Sequence, residues 1–398
     1  MKNSAVLPGN RKKRAPKFFR KHWTLFRTLS FCFVFAAVFC LFAIPMGLAN
    51  SLNTLMNTAY RLLMDTTFYI LAVAVLAGAI SALFTEYGVV ELLNRLLSPL
   101  MKPLFGMPGA AALGMVTTYL SDNPAILTLA DDRNYRKYFK AYQVPALTNL
   151  GTSFGMGLIV TTLILGIGDK AGPHVGIAAL CGNLGAIVGG IVSTRLMMHF
   201  TAKVLGRTAD AVTDDVAAED SSSSGKQPKK HFINILMDGG KKGVELGLGI
   251  IPGVIIICSF VMMLTNGAPD GGVYTGAAYE GIGLLPMLAE KIDFILNPLF
   301  GFSSAAGIAV PVTALGSAGA ALGVIPELVR EGLANCNDLA VFTAMCMCWS
   351  GYLSTHVSMM DVLHCSEFTG KAILCHTVGG LLAGISAHWL FVLITAII

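Results

Sequence analysis

The chain has 398 residues, of which 54% are hydrophobic and 13% charged, about half the roughly 25% charge of soluble domains. That balance excludes a soluble globular protein and leaves room for roughly six to ten membrane spans. The net charge of +5 sits mostly at the ends of apolar runs, where it sets topology and is no nucleic-acid footprint.

Residues 1–27 form a basic arm with Arg11, Lys12, Lys13, Arg14, Lys17, Arg20 and Lys21, which the positive-inside rule keeps in the cytoplasm. The apolar run 29–48 is long enough to span. A signal peptide is the rival reading, because Gly47-Leu48-Ala49 offers small residues near a cleavage point. The length of the basic arm and of the run favours an uncleaved span.

A second span is expected at 66–84. Glu91, Arg95 and Lys102 on a Leu-rich background over 89–104 then suggest an interfacial amphipathic helix. The next segment, 103–126, reads PLFGMPGAAALGMVTTYLSDNPAI. It is too rich in Gly and Pro for an ordinary span, and Ser121-Asp122-Asn123-Pro124 interrupts its apolar run. Basic residues flank it on both sides, so it enters and leaves on the cytoplasmic face as a re-entrant hairpin.

Spans are expected at 142–166 and 175–200, joined by a short outer loop. The stretch 203–230 is polar, with four consecutive Ser, and reads as a flexible cytoplasmic linker. The pattern then repeats. A span at 244–264 precedes a Gly-rich loop at 266–283, with Asp270 and Glu280 and no Lys or Arg, as an external loop requires. An interfacial stretch at 284–299 leads into a second special segment, 298–321, PLFGFSSAAGIAVPVTALGSAGAA. Nine of 24 positions match the first segment without a gap, Pro103 to Pro298 and Thr118 to Thr313 among them. Spans at 339–363 and 371–398 close the chain.

Each half therefore has three crossings and one hairpin. Three is odd, so the second copy is inverted. The expected fold is an all-α polytopic membrane protein of two inverted repeats, each with three transmembrane helices, an interfacial helix and a re-entrant hairpin, plus one extra N-terminal span. The expected division is a basic arm at 1–27, the extra span at 28–50, a first repeat at 60–200, a cytoplasmic linker at 201–238 and a second repeat at 239–398. Inverted repeats with interrupted helices typify secondary transporters that bind at the midplane.

Asp122 is the main ionisable residue expected at membrane depth, where a carboxylate is a functional hypothesis by default. It either contacts a ligand or coupling ion or caps a hairpin turn. Thr118, Ser121 and Asn123 add oxygen and amide groups around it. In the second copy Ser317 stands opposite Asp122. That hairpin binds through its backbone, Thr313 and Ser317, or serves as a gate. The spans after the hairpins carry Asn149, Thr152 and Ser153 in one case and Ser354, Thr355 and His356 in the other. They line a polar cavity or serve helix–helix packing. Nine Cys, mostly within apolar runs, read as buried reduced thiols, and no metal site is expected.

With its paired PLFG segments and polar break, the chain resembles the Gate, or nucleoside-recognition, membrane family. That family includes spore maturation proteins A and B and relatives of the gates in ferrous-iron permeases and concentrative nucleoside transporters. The resemblance, to a fusion of two Gate halves over about 65–398, implies a transporter-like fold with opposed hairpins and carries no substrate. No GxxxxGK[ST] motif of the iron permeases' GTPase occurs.

The expected function is an ion- or proton-coupled secondary transporter of a small polar solute, nucleoside-like among the choices. A divalent-metal permease and a non-transporting membrane scaffold or accessory protein are the alternatives. No nucleophile–base pair or HExxH stands out, so an enzyme is not expected. Na+ or H+ as coupling ion is the sole cofactor expectation. The expected partners are the lipid bilayer and a small-molecule solute, with a homo-oligomer left open and no nucleic acid. The expected location is the inner membrane of a bacterium, with the N-terminus in the cytoplasm.

Overall fold

The computed structural model describes residues 17–122, 125–131, 133–211, 231–269 and 271–398. The start of the basic arm, Asn123, Pro124, Asp132, most of the polar linker and Asp270 lie outside the described residues. Among the described residues the chain is helical, with one isolated bridge between Lys140 and Asp210 and no strand.

Helix α1 (Lys17–Met46) ends at Gly47 in the left-handed region, and α2 (Leu48–Arg61) follows. A wide turn at Leu62–Thr67 continues α2 into α3 (Phe68–Glu86). The continuous 39-residue stretch Leu48–Glu86 is about 58 Å long, nearly twice the roughly 30 Å apolar core. The expected span at 66–84 is thus the membrane part of a longer rod. Its α2 end explains the excess: Asn50, Thr54, Asn57 and Thr58 form a polar stripe at helical spacing and bind the loop 266–283. Asn50 donates to Tyr274 O at 2.9 Å, Asn57 donates to Gly276 O at 2.8 Å, and Thr58 Oγ1 accepts from the Tyr279 N–H at 2.9 Å. Within that loop Glu280 accepts from the Thr275 hydroxyl at 2.6 Å and the Gly276 N–H at 2.9 Å.

Left-handed Gly88 opens α4 (Val89–Leu100), whose Leu92, Leu96 and Leu100 are exposed in one row, as an interfacial helix requires. A wide turn at Met101–Phe105 ends on left-handed Gly106. Next come α5 (Ala111–Leu120), α6 (Ala125–Asp131) and the short α7 (Arg133–Arg136). The expected span at 142–166 is in fact two helices, α8 (Ala146–Thr152) and α9 (Gly157–Ile167), broken at 153–156. Helix α10 (Val175–Leu205) ends the first half.

The second half opens with α11 (Phe232–Gly249), α12 (Ile251–Gly253) and α13 (Ser259–Thr265). This span begins at Phe232, twelve residues before the expected start. Left-handed Gly283 precedes α14 (Leu284–Lys291) and α15 (Asp293–Phe300). At left-handed Gly301 the chain bends by 79° towards α16 (Ala309–Gly316). Ser317 then breaks the path before α17 (Ala318–Arg330), which packs back on α16. The expected span at 339–363 is also divided, into α18 (Cys336–Cys348) and α19 (Tyr352–Val362), broken at 349–351. Helix α20 (Thr369–Thr395) closes the chain. Both left-handed glycine pairs, 88 with 283 and 106 with 301, keep the register that aligns Pro103 with Pro298. Both broken spans keep it too.

Two seams of small residues hold the helices together. Helix α3 meets α11 at Gly78–Gly239 and Ala74–Gly243, and a Cβ on Gly78 would lie 2.5 Å from Gly239 O. Helix α10 meets α20 at Gly185–Ala383 and Gly189–Gly379, and a Cβ on Gly189 would lie 2.5 Å from Gly379 O. In each seam one number rises as the other falls, so the paired helices run antiparallel. Such close backbone approach supplies the packing that apolar lipid cannot drive by the hydrophobic effect.

Candidate functional site

The two divided spans cross at their breaks. In the first, Thr152 and Ser153 turn their hydroxyls back onto Thr148 O and Asn149 O, each at 2.8 Å. Such back-bonding weakens a helix locally. Met156 then takes a left-handed φ of 57°, uncommon for a residue with a side chain. In the second, Trp349, Ser350 and Gly351 form the break. Ser350 Oγ donates to Thr152 O at 2.9 Å, and Cys348 Sγ lies 3.9 Å from Ser153 Oγ. Ser153 and Cys348 occupy equivalent places in the two halves, so the two breaks meet face to face.

Beside this crossing lies a chain of fully buried polar groups. Asn149 Nδ2 donates to Ser193 Oγ at 2.8 Å and to Ala372 O at 2.9 Å. Ser193 Oγ lies 2.8 Å from His376 Nδ1, and His376 Nε2 meets Cys348 O. Carbonyl oxygens only accept, and for a neutral imidazole this fixes every proton. Nε2 of His376 must carry hydrogen, so Nδ1 accepts from the Ser193 hydroxyl, whose oxygen in turn accepts from Asn149. Both Asn149 amide protons are then committed, and its Oδ1 is buried without a partner. His356 packs against His376 with ring centroids 4.6 Å apart, and neither of its ring nitrogens has a hydrogen-bond partner of regular geometry, the Gly351 and Tyr352 backbone lying beside the ring. Unmade bonds on buried polar groups cost about 1–3 kcal/mol each, so this seam is held short of full satisfaction.

The hairpin residues behave differently. Thr118 Oγ1 donates to Gly114 O at 2.7 Å, Ser121 Oγ to Thr117 O at 2.8 Å and Thr313 Oγ1 to Ala309 O at 2.6 Å. Ser317 Oγ accepts from the Ala320 N–H at 3.2 Å as the N-cap of α17. These hydroxyls serve their own helices. Asp122 is half-buried, and its carbonyl accepts from the Ala125 N–H at 3.0 Å to close the first turn. Thr355 is half-buried on α19. The Ser354 side chain, like Asn123, lies outside what is described.

Both hairpin turns address the middle of one span. Ser121 and Thr117 line a cleft of about 310 Å³ with Gly239, Lys242 and Leu246 of α11, rimmed by Glu86 and Asp238. Ser317 Oγ would lie 3.0 Å from a Cβ on Gly253 of α12. The sequence reading missed Ser193, His376 and Cys348 O, which organise the seam. A His inside the apolar run of α20 was the available signal.

Interrupted helices in pairs, two hairpins and a buried, partly unsatisfied polar crossing define an integral membrane protein of the helical transporter fold class. Residues 67–202 match the Gate family, described as nucleoside recognition. Among solved structures the chain is similar to CNTnw in an inward-facing substrate-bound state, at 14% identity and TM-score 0.52, covering 81% of this chain and 74% of that one. Two outward-facing variants of CNTnw score 0.52 and 0.51 at 12% and 13% identity, covering 95% and 96% of this chain and 88% and 87% of theirs. These likenesses are of fold. No curated protein matches the sequence.

Proposed function

We propose that the protein is a secondary transporter of a small polar solute of nucleoside type, driven by H+ or Na+. In this reading it is built from two inverted repeats whose hairpins enter from opposite faces, with the N-terminus in the cytoplasm. The antiparallel pairing of equivalent helices, α3 with α11 and α10 with α20, supports the inversion. The observation that carries the function is the crossing of the two broken spans, where Asn149 Oδ1 and both His356 nitrogens are buried without partners. Irregular backbone and unsatisfied polar groups at membrane depth are kept where a site needs them. The cleft at Ser121 and Thr117 supplies a path from the side of Glu86 and Asp238 to the first hairpin turn. Asp122 at that turn is the proposed contact for the coupling ion, with Ser121 and Thr118 beside it. Thr313 and Ser317 complete the opposite hairpin.

A divalent-metal permease has less support. His376 uses both ring nitrogens within the protein, and no group of three His, Cys, Asp or Glu is placed to hold a metal among the described residues. A thermal-stabilisation screen of the purified protein with nucleosides, amino acids, organic acids and divalent metals tests the proposal. A shift with nucleosides is expected. A shift with metals alone transfers the assignment to the permease, and no shift with any class favours a scaffold.

A further inference from the structure

The identity and place of the coupling ion turn on two buried histidines in the seam. His356 and His376 are both fully buried and face one another, yet their states differ. His376 is locked as the neutral Nε2–H tautomer by Cys348 O on one side and the Ser193 hydroxyl on the other. Its lone pair is committed. His356 has a lone pair that nothing takes.

Among the described residues the surroundings of His356 carry no fixed charge to stabilise an imidazolium, and the Gly351 and Tyr352 backbone stands beside the ring. Of the helices packed on α19, α20 presents His376, while α8 and α16 contain no titratable side chain. On α19 itself Tyr352 lies edge-on at 6.2 Å, and Asp361 is exposed at the far end. The Cys348 thiol is buried nearby, and Glu367 of the short turn before α20 is exposed. A buried charge without a partner is costly, so His356 is neutral in the packing described. It can take a proton only when the break at 349–351 opens to water. A proton needs one lone pair, which His356 has. A hard metal cation needs several oxygen ligands, whereas the unpaired groups here are two imidazole nitrogens and one amide oxygen.

We infer that His356 is a proton-binding site linked to opening of the α18–α19 break: empty in the closed packing and filled when the break is hydrated. Proton binding then shifts the protein towards the open arrangement, as any ligand of one state must. Within the proposed function this makes H+ the driving ion, and that consequence rests on the transporter reading. Protonation itself does not rest on it, and the test keeps the two apart.

Trp349 is a reporter in the break itself. Its indole N–H donates to His376 O at 3.3 Å, and its ring lies 5.6 Å from Tyr352. With Trp23 and Trp389 replaced by Phe it is the sole tryptophan, and an imidazolium close to an indole quenches its emission. In the single-Trp protein in nanodiscs, acidification should quench Trp349 in a single one-proton transition. His356→Gln should abolish that transition. An unchanged transition in the variant overturns the inference, and so does a wild-type signal that stays flat while the protein remains folded. Should the variant fail size-exclusion, wild-type protein labelled with ¹³C at histidine Cε1 replaces it. One resonance titrating together with the Trp349 signal upholds the site, and none doing so overturns it. Proteoliposomes with radiolabelled uridine supply the separate transport arm: His356→Gln should lose pH-driven accumulation and keep exchange. Absence of uridine uptake by the wild type would count against the transporter reading and leave the fluorescence result standing.

Discussion

The two halves share a backbone and differ in what they bury. Gly106 and Gly301 turn the chain the same way, and each turn is tied to the following span by residues in the same register. Gln143 Nε2 donates to Gly106 O at 3.0 Å, while Asp338 accepts from the Ser303 N–H at 3.1 Å and the Ser303 hydroxyl at 2.6 Å. Beyond the break the likeness stops. Thr161 holds the place of His356, and its hydroxyl oxygen lies 3.2 Å from Tyr119 OH and accepts from Asn183 Nδ2 at 3.0 Å. The Thr161 hydroxyl thus has partners on both sides, whereas neither ring nitrogen of His356 has a hydrogen-bond partner of regular geometry. The glycine turns and the breaks recur in one register, and the polar residues beside them do not. Repetition of small residues builds the scaffold, and a few unrepeated polar residues set what it does.

Breaking what the halves share should cost most. Gly189→Leu would drive a side chain into Gly379 O across the α10–α20 seam, a contact between backbones that cannot be relieved by a rotamer. Overpacking costs about 1–3 kcal/mol even where side chains can shift. The expected outcome is loss of monodisperse protein in fluorescence-detected size exclusion, and a normal elution profile would refute the seam.

Next in size is the contrast between the hairpins. Asp122→Asn keeps shape and removes charge, so gradient-driven uptake should fall at least tenfold with insertion intact. Ser317→Ala removes a helix cap worth about 1 kcal/mol and should lower uptake by less than threefold. Equal effects of the two would show that Asp122 does no more than cap its turn. Within the polar clusters, Thr161→Val should cost about 1 kcal/mol in thermal stability and leave the pH response of Trp349 unchanged. A changed response would place the proton in the first half.

The smallest effect concerns the loop on α2. Burial works to raise the Glu280 pKa, but the Thr275 hydroxyl and the N–H groups of Thr275 and Gly276 outweigh it and hold the carboxyl below its usual value. A depressed acid stabilises the fold fully above its unfolded pKa of about 4.3 and loses that contribution as pH falls through the folded value. Glu280→Gln should therefore lower Tm at pH 7 and narrow the gap to wild type at acid pH. A gap that widens on acidification would contradict the sign.

Much of this architecture was legible. Gly, Pro and the Ser121-Asp122 break mark the hairpins because each forbids a plain helix, and alternation of apolar and charged residues marks α4. The breaks at 153–156 and 349–351 were not legible, since Phe154, Met156 and Trp349 read as apolar span. Helix α2 was missed although Asn50, Thr54, Asn57 and Thr58 repeat at helical spacing, because the loop they bind lies more than 200 residues away. The site residues were half legible. Asn149 and His356 stand out as polar residues in apolar runs, but their partners Ser193 and His376 lie on other helices and meet them only in the fold. Thr118, Thr152, Ser153 and Thr313 donate their hydroxyl protons to their own helices, which leaves their oxygen lone pairs for the proposed site.

The central claim is transport through the crossing of the two broken spans, and uptake of radiolabelled uridine into proteoliposomes tests it most directly. The account predicts saturable accumulation above empty liposomes when the lumen is alkaline, collapse of that accumulation by a protonophore, and loss of it in Asn149→Ala. No accumulation by folded wild-type protein under either a proton or a Na+ gradient would contradict it, as would full accumulation in Asn149→Ala.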